Sequence, residues 1–228
     1  MVRVGLAMLQ GARYEHAEAL RAASQQLGLE VEVVHLKMGK EVDSHLDCLV
    51  LPGGESTAMR KASESESLLG AIYAWMNDHP LRPVLGTCAG AILLAQPDSA
   101  YEPFIRTGIA RNAWGRQRDS FEAMLEVNLE VPAGKDVESS ADGRNQFNHQ
   151  PLPVQPAGTE SSTEHFHGVF IRAPRFDQST IECNQVVHLG KEAVGVLDGS
   201  RLALTFHPEL TGDYRFHRWL LHQATDNE

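Results

Sequence analysis

Cysteine and basic residues are scarce in this chain of 228 residues. Its 3 cysteines are odd in number and widely spaced, which argues against a disulfide framework or a cysteine-rich zinc site. This usage fits a reducing compartment, so we expect a cytoplasmic protein. Lys and Arg number 20 against 30 Asp and Glu, and the formal net charge is -10. Because nucleic acids and anionic membranes attract basic patches, we expect neither as a partner.

Long hydrophobic runs are missing as well. The apolar run at residues 2–9 is too short to cross a bilayer and lacks a signal-peptide cleavage pattern. It predicts a first buried strand instead. Hydrophobic residues make up 42% of the chain and charged residues 22%, which is typical of a globular protein. The length suits one domain or two small ones.

The first hundred residues alternate between strand and helix patterns. After the first strand, apolar positions recur at helical spacing until Gly28, a residue that commonly ends helices. Val31–Leu36 and Leu46–Leu51 predict two further strands, and Leu68–Trp75 predicts a helix. Strands that alternate with helices form βαβ units, so we expect a parallel sheet with helices on both faces.

The second half of the chain has a different pattern. Phe121–Val131 and parts of Ile181–Leu197 alternate apolar and polar residues, as antiparallel strands do. Asp198-Gly199 predicts a hairpin turn, and Arg201–Phe206 predicts the returning strand. A closing helix is expected from Asp213. The predicted fold is therefore α/β, with a mostly parallel sheet and an antiparallel extension.

Residues 132–165 are rich in Pro, Gly, Ser, Asn and Gln and show almost no apolar periodicity. Loops longer than about 12–15 residues without structure of their own are uncommon in compact domains. We interpret this segment as a mobile surface insertion between two strands, not as a domain boundary. Contact with a partner and plain disorder both remain open for it. Residues 1–228 are expected to form a single domain.

The sequence Gly-Thr-Cys-Ala-Gly at residues 86–90 follows the short apolar run Pro83–Leu85 and precedes an Ala- and Leu-rich helix. This order is that of a nucleophile elbow with Cys88 as the nucleophile. Small neighbours suit the sharp turn, and the helix N-terminus favours a thiolate. The alternative is a buried structural cysteine, and the motif alone does not decide between them.

His207 and Glu209 follow the last apolar strand. Residues two apart on a strand point to the same side, so we expect the carboxylate to orient the imidazole. An imidazole that shares the thiol proton, held in one tautomer by a carboxylate, is what a cysteine nucleophile needs. The alternative is a surface His-Pro turn, because the chain contains 11 histidines.

Gly53 and Gly54 follow the third predicted strand, in the crevice where α/β proteins bind ligands. Their backbone N–H groups, with the N–H of Ala89, predict an oxyanion hole. The alternative is a plain glycine turn. No Gly-Lys-Ser/Thr follows, so a Walker loop is excluded. Arg111 and Arg172 are candidates to bind a substrate carboxylate, although by spacing alone an ordinary surface charge is favoured. The histidine spacing predicts no metal site.

Taken together, these residues resemble the class I (triad) glutamine amidotransferases. The match narrows to the glutaminase subunits of pyridoxal phosphate synthase, the PdxT/SNO family, and its blocks run in the family's order from the N-terminus to about residue 210. The blocks are Leu9–Ala12 with Glu15-His16, Leu51–Thr57, Gly86–Gly90, Arg111-Asn112 with Gly115–Gln117, Phe170–Pro174 and Phe206–Leu210.

The resemblance implies a flavodoxin-like three-layer sandwich that hydrolyses L-glutamine to glutamate and ammonia without a cofactor or a metal. Ammonia would pass to a (β/α)8 synthase subunit within a large hetero-oligomer, for pyridoxal 5'-phosphate (vitamin B6) synthesis. Gln10 lies where the family contacts this partner and completes the oxyanion hole. The resemblance implies a triad of Cys88, His207 and Glu209, an oxyanion hole of Gly54 and Ala89, and glutamine-binding positions at Gly54, Glu55, Ser56, Arg111, Ile171 and Arg172.

Two other functions remain as alternatives. One is a glutaminase subunit of a different amidotransferase, or a hydrolase of similar fold with a cysteine elbow. The paired blocks around Gly53 and Arg172 argue against it. The other is a catalytically silent scaffold for the synthase, and the intact Cys88, His207 and Glu209 argue against that function.

Overall fold

The computed structural model describes residues 1–111, 113–114, 120–135 and 164–226. The predicted insertion at 132–165 lies mostly outside the described residues, so its mobility stays a prediction. The strands are β1 (Val2–Ala7), β2 (Val31–Leu36), β3 (Cys48–Leu51), β4 (Val84–Thr87), β5 (Ile109–Ala110), β6 (Ser120–Val127), β7 (His165–Ile171), β8 (Arg175–Phe176), β9 (Asn184–Leu189), β10 (Glu192–Asp198) and β11 (Arg201–Leu204).

The helices follow the predicted order with one addition. Gly28 ends the first helix in the left-handed conformation, as predicted. The second helix was not predicted as a separate element, because its sequence STAMRKASE buries few apolar side chains. The helices are α1 (Arg13–Leu27), α2 (Ser56–Glu64), α3 (Leu68–Asp78), α4 (Ala89–Ala95) and α5 (Arg215–Thr225), with short 3-10 turns at Gly39–Glu41 and Pro208–Leu210.

The main sheet has the strand order β2-β1-β3-β4-β11-β10-β9-β6-β7. The first five strands in this order pair in parallel, and the remaining pairs are antiparallel. The hairpin predicted at Asp198-Gly199 joins β10 to β11, with Asp198 opposite Arg201. Strands β6 and β7 pair with Glu126 opposite His165, so the predicted insertion connects two neighbouring strands.

Two hydrophobic cores cover the two faces of the sheet. Helices α1 and α5 pack on one face through side chains such as Leu20 and Phe216. Helices α2, α3 and α4 pack on the other through side chains such as Met59 and Ile72. The predicted three-layer, flavodoxin-like sandwich is therefore confirmed. Among the described residues, no helix is long and apolar enough to span a membrane.

The parallel strands place several loops at one edge of the sheet. The carboxyl ends of parallel strands lie on the same side, so the segments after β1, β3, β4 and β11 meet there. Those segments carry Gln10, Gly53, Cys88 and His207 respectively. The sequence predicted each of these residues as part of the site.

Candidate active site

Cys88 sits on a strained turn between β4 and α4. Its backbone angles are φ 49° and ψ -105°, a region that residues with a side chain rarely adopt. A Cβ atom added to Gly90 would lie 2.0 Å from the Leu51 carbonyl oxygen, so only glycine fits there. The Cys88 N–H donates to the Leu204 carbonyl at 2.8 Å, which fixes the turn against β11. These features are those of the predicted nucleophile elbow.

The imidazole of His207 joins Cys88 to Glu209. Its Nδ1 lies 2.7 Å from Glu209 Oε1, and the nearby Cys88 side chain helps to raise the pKa of the ring. All three residues are buried. Because Nδ1 is used by the carboxylate, Nε2 is the nitrogen available to the sulfur. The three side chains therefore lie in the order of a nucleophile, a base and an orienting carboxylate.

The local reason given for the His207–Glu209 pair was wrong. Strand β11 ends at Leu204, and Glu209 lies in the 3-10 turn Pro208–Leu210. Proline at the first position of that turn starts a helical conformation. The two side chains meet because the backbone turns between them, not because they share one side of a strand.

Burial and charge act in opposite directions on the triad. Burial lowers the pKa of His207, but the Glu209 carboxylate and the contact with Cys88 outweigh it and raise that pKa to about 10. Burial likewise raises the pKa of Glu209, but the neighbouring His16 and His207 rings bring it down to about 2. Glu209 is therefore ionised at neutral pH and holds a proton on His207 Nδ1.

The glycine loop packs directly on the triad. A Cβ atom on Gly53 would lie 2.4 Å from His207 Cε1. The Gly53 carbonyl accepts from the Ala12 N–H at 3.3 Å, and the peptide plane therefore turns the Gly54 N–H away from Ala12. Gly11 adopts φ +77°, and a Cβ atom there would lie 1.8 Å from the Gly53 oxygen. Close packing thus fixes the orientation of this peptide.

Gln10 is tied to the same loop. Its side-chain oxygen accepts from the Glu55 N–H at 3.1 Å. Ala89, the residue after the nucleophile, begins α4, and the first N–H groups of a helix have no partner within the helix. The Ala89 N–H is therefore available next to the sulfur as one donor of the predicted oxyanion hole.

A cleft of about 340 Å³ opens over Cys88 and His207. This volume falls in the range of small-molecule sites. The predicted residues that line it besides these two are Gly54, Glu55, Ser56, Arg111, Ile171 and Arg172. The structure thus brings every predicted glutamine-binding residue to one cleft.

Glu55 and Arg111 also have structural contacts in this cleft. The Glu55 carboxylate accepts from the N–H groups of Thr57 at 2.9 Å and Ala58 at 2.7 Å, and so caps α2. These bonds, together with the charge of Arg111, lower the pKa of Glu55. Arg111 Nη1 donates to Thr57 Oγ1 at 2.7 Å. Helix α2 therefore holds the two charged residues of this rim in place.

The opposite rim follows β7. The Ile171 carbonyl oxygen lies 3.9 Å from Cys88 Sγ. Arg172 has φ 44°, the left-handed conformation that a side chain disfavours. Such strain, next to a nucleophile that is itself strained, is typical of functional sites.

The sequence did not predict every residue around the site. Glu15, Ile92 and Leu210 also line the cleft. Glu15 appeared only as part of the family pattern. Helical periodicity places it in the first turn of α1 but does not show that its side chain faces the cleft. Behind Glu209 lie the buried His16 and His217, which the sequence did not bring together.

The sequence matches the SNO glutamine amidotransferase family over residues 6–133 and 136–226. The pyridoxal 5'-phosphate synthase subunit PdxT of Thermococcus onnurineus (strain NA1) is 34% identical over 231 residues, which cover 98% of this chain and 100% of that protein. The protein of the same name from Ignicoccus hospitalis is 36% identical over 233 residues, with the same two coverages of 98% and 100%.

A solved structure described as a glutamine amidotransferase is 32% identical to this chain and superposes with a TM-score of 0.70. It covers 97% of this chain, and this chain covers 98% of it. The agreement confirms the predicted class I amidotransferase-like fold. On the family match and these relatives, the chain belongs to the SNO glutamine amidotransferase family.

Proposed function

We propose that the chain hydrolyses L-glutamine to glutamate and ammonia through Cys88, His207 and Glu209, and supplies ammonia to a pyridoxal 5'-phosphate synthase subunit. The observation that carries this proposal is that Cys88 and His207 face one cleft of suitable size, with His207 hydrogen-bonded to the Glu209 carboxylate. The relatives named as subunits of that synthase support the choice of partner.

The first half-reaction forms a thioester. The Cys88 sulfur attacks the side-chain amide carbon of glutamine while its proton is held on His207 Nε2, because the raised pKa of His207 favours the imidazolium. The amide oxygen becomes an oxyanion, which the N–H groups of Gly54 and Ala89 stabilise. His207 then gives its proton to the amide nitrogen, the C–N bond breaks and ammonia leaves. The glutamyl group remains bonded to the sulfur.

The second half-reaction uses water. His207 accepts a proton from a water molecule, whose oxygen attacks the thioester carbon. The same oxyanion forms again, and its collapse breaks the C–S bond. The proton returns to the sulfur, and glutamate leaves. Glu209 stabilises the imidazolium in both halves and does not itself take up the proton.

The charges on the cleft rim suit a free amino acid. Glutamine carries an α-carboxylate and an α-ammonium group, and the cleft offers both cations and anions. Arg111 and Arg172 bind the carboxylate through charge-assisted hydrogen bonds. Glu15 and Glu55 attract the ammonium group. Ser56 and the Ile171 backbone complete the binding positions around the amino acid.

Gln10 connects the site to the synthase in this proposal. Its bond to the Glu55 N–H places it beside the glycine loop, on the segment after β1. A partner that contacts this segment would act directly on the orientation of the Gly53–Gly54 peptide. The partner is a synthase subunit of (β/α)8 fold, and the two assemble as a hetero-oligomer in the cytoplasm.

The test measures glutamate release from glutamine with and without an authentic synthase subunit. We expect release to rise sharply when the subunit is added. Cys88→Ala should abolish release while the complex still makes pyridoxal phosphate from free ammonia, because only the glutaminase step needs the sulfur. Cys48→Ala is the matched control, since Cys48 is buried in β3 away from the cleft, and it should retain release.

Each alternative predicts a different outcome. A catalytically silent scaffold would release no glutamate even in the complex, and Cys88→Ala would then change nothing. A glutaminase of another amidotransferase would not respond to this synthase. Loss of the ammonia-dependent reaction in Cys88→Ala would indicate a defect in folding or docking.

A further inference from the structure

Two buried histidines form a second layer behind the triad. His16 in α1 and His217 in α5 are both 0% exposed. His16 Nδ1 lies 2.9 Å from His217 Nε2, although the two residues are 201 positions apart in sequence. On its other side, His16 Nε2 lies 3.0 Å from Thr87 Oγ1 and 3.3 Å from Glu209 Oε2. The side chains thus continue the order Cys88, His207, Glu209 into the core.

The protons of this cluster follow from its contacts. With a proton on Nε2, His16 faces Thr87 Oγ1 and Glu209 Oε2 with a donor, and its Nδ1 accepts from His217 Nε2. His217 Nδ1 then carries a lone pair, in agreement with its lack of a partner among the described residues. The opposite tautomer would bury an unpaired N–H on His217 and turn a lone pair of His16 toward the carboxylate.

Glu209 Oε2 depends on this donor. It is buried, and no hydrogen-bond donor in the described part of the chain is aligned with it. The His16 N–H, at 3.3 Å and directed mainly at Thr87, is off the ideal axis but places the positive end of its dipole next to the oxygen. A buried carboxylate oxygen without such a neighbour would pay a large desolvation cost. His16 therefore bears on the charge and orientation of Glu209.

Both rings are neutral. Burial lowers the pKa of His16, partly offset by the Glu209 charge. Burial, aided by His16, also lowers the pKa of His217, to about 3. Two buried neutral imidazoles stabilise a core less than apolar side chains of similar volume would. Their presence at this position, against the orienting carboxylate, calls for a role besides packing.

We propose that His16, held in its Nε2–H tautomer by His217, is a positioning residue that fixes the Glu209 carboxylate and through it the His207 ring. This inference rests on the proposed triad. His16 touches neither the cleft nor the sulfur and acts only through Glu209. His217 acts one step further away, by donating to His16 Nδ1.

The experiment compares His16→Leu, His16→Gln and Leu20→Ala in the full chain with its synthase subunit. His16→Leu removes the donor, and we expect kcat for glutamine hydrolysis to fall about ten- to a hundredfold at unchanged KM. The Gln amide places an N–H near the position of Nε2 and should restore most of the loss. Leu20 is buried one turn further along α1, so Leu20→Ala should lower the melting temperature but keep kcat.

A second measurement does not require the partner or glutamine. The rate at which iodoacetamide alkylates Cys88 in the free chain, followed by mass spectrometry of its peptide, should fall in His16→Leu and recover in His16→Gln. His217→Leu should give a smaller loss of kcat than His16→Leu. The double variant should be no worse than His16→Leu alone, because both act on one carboxylate.

The outcomes separate the two proposals. No glutamate release by the wild-type complex would overturn the proposed function. With an active wild type, unchanged kcat and alkylation in His16→Leu would overturn the positioning role. An equal loss of kcat in Leu20→Ala, or no recovery in His16→Gln, would likewise show that His16 serves only the packing of α1.

Discussion

The two helical layers of the sandwich differ in what they bury. The layer of α2, α3 and α4 covers its face of the sheet almost entirely with apolar side chains, such as Met59 and Ile72. The layer of α1 and α5 buries apolar side chains too, but it also encloses His16 and His217. Both layers exclude water from the same sheet, yet only one lies against Glu209.

The difference indicates that one helical layer mainly stabilises the fold, while the other also supports the triad. Apolar burial stabilises the fold by about 25 cal/mol per Å² of surface removed from water. Buried imidazoles contribute less and need partners, which here are one another, Thr87 and Glu209. Changes in the apolar layer of α2, α3 and α4 should therefore affect folding. Changes in the polar cluster, which runs from Cys88 through His207 and Glu209 to His16 and His217, should affect the reaction.

The largest expected effect on glutamine hydrolysis comes from His207, the residue of the polar cluster next to the sulfur. His207→Ala removes the base, and glutamine hydrolysis by the complex should fall at least about a thousandfold. The melting temperature should fall as well, because the buried Glu209 carboxylate loses its partner, so release is compared below the melting transition. Steady-state glutamate release and a thermal melt measure the two quantities. Wild-type turnover in this variant would break the assignment of catalysis to this layer.

Ile72→Ala tests whether a change in the apolar layer affects stability and leaves the reaction unchanged. Ile72 is fully buried in α3, and its truncation leaves a cavity, so the free energy of unfolding should fall by about 2–5 kcal/mol. Urea denaturation measures this loss. Below the melting transition, kcat should match that of the wild type. A proportional loss of kcat in the folded variant would mean that the two layers are not separable.

The acid stability of the fold should report the buried imidazoles. The pKa of His217 is about 3 when folded against 6.5 ordinarily, so its contribution is present above pH 6.5 and lost as the pH falls toward 3. Its loss amounts to about 2 kcal/mol at about pH 5. His217→Leu should therefore flatten the dependence of unfolding free energy on pH below 6.5. The charges that act on this ring are His16, Glu209 and Arg218.

Urea denaturation at several pH values between 4 and 7 measures this slope. The exposed His45 is the matched control, since it lies outside the buried cluster. His45→Leu should follow the wild-type curve. The same slope in His217→Leu as in the wild type would show that this ring titrates in the folded protein as it does when unfolded.

The smallest expected effect lies outside both layers, on the cleft rim. Arg111 is exposed and hydrogen-bonds to Thr57 at 2.7 Å. Arg111→Ala should raise KM for glutamine about tenfold, since a charge-assisted bond to the substrate is lost while the triad is intact. Substrate titrations of the complex measure it. A fall in kcat with constant KM would contradict a binding role for this residue.

Sequence patterns were most informative where chemistry and local backbone coincide. The sharp turn at Cys88 agrees with the small residues on either side of it, which such a turn requires. The contact between His207 and Glu209 was expected from their sharing one side of a strand, but in the structure a turn brings them together. Helix α2 was not predicted because it buries few apolar side chains and so lacks a clear apolar periodicity.

The order of elements and the hairpin at Asp198-Gly199 were determined by local signals, since periodicity and turn chemistry act within a few residues of chain. The glutamine-binding positions were expected only from the resemblance to the family. The meeting of His16 with His217 was decided by the packing of α1 against α5, a contact between opposite ends of the chain. No local pattern encodes which buried face of one helix meets which face of another. The contacts that connect Glu209 to His16 and His217 in the core are therefore visible only in the folded protein.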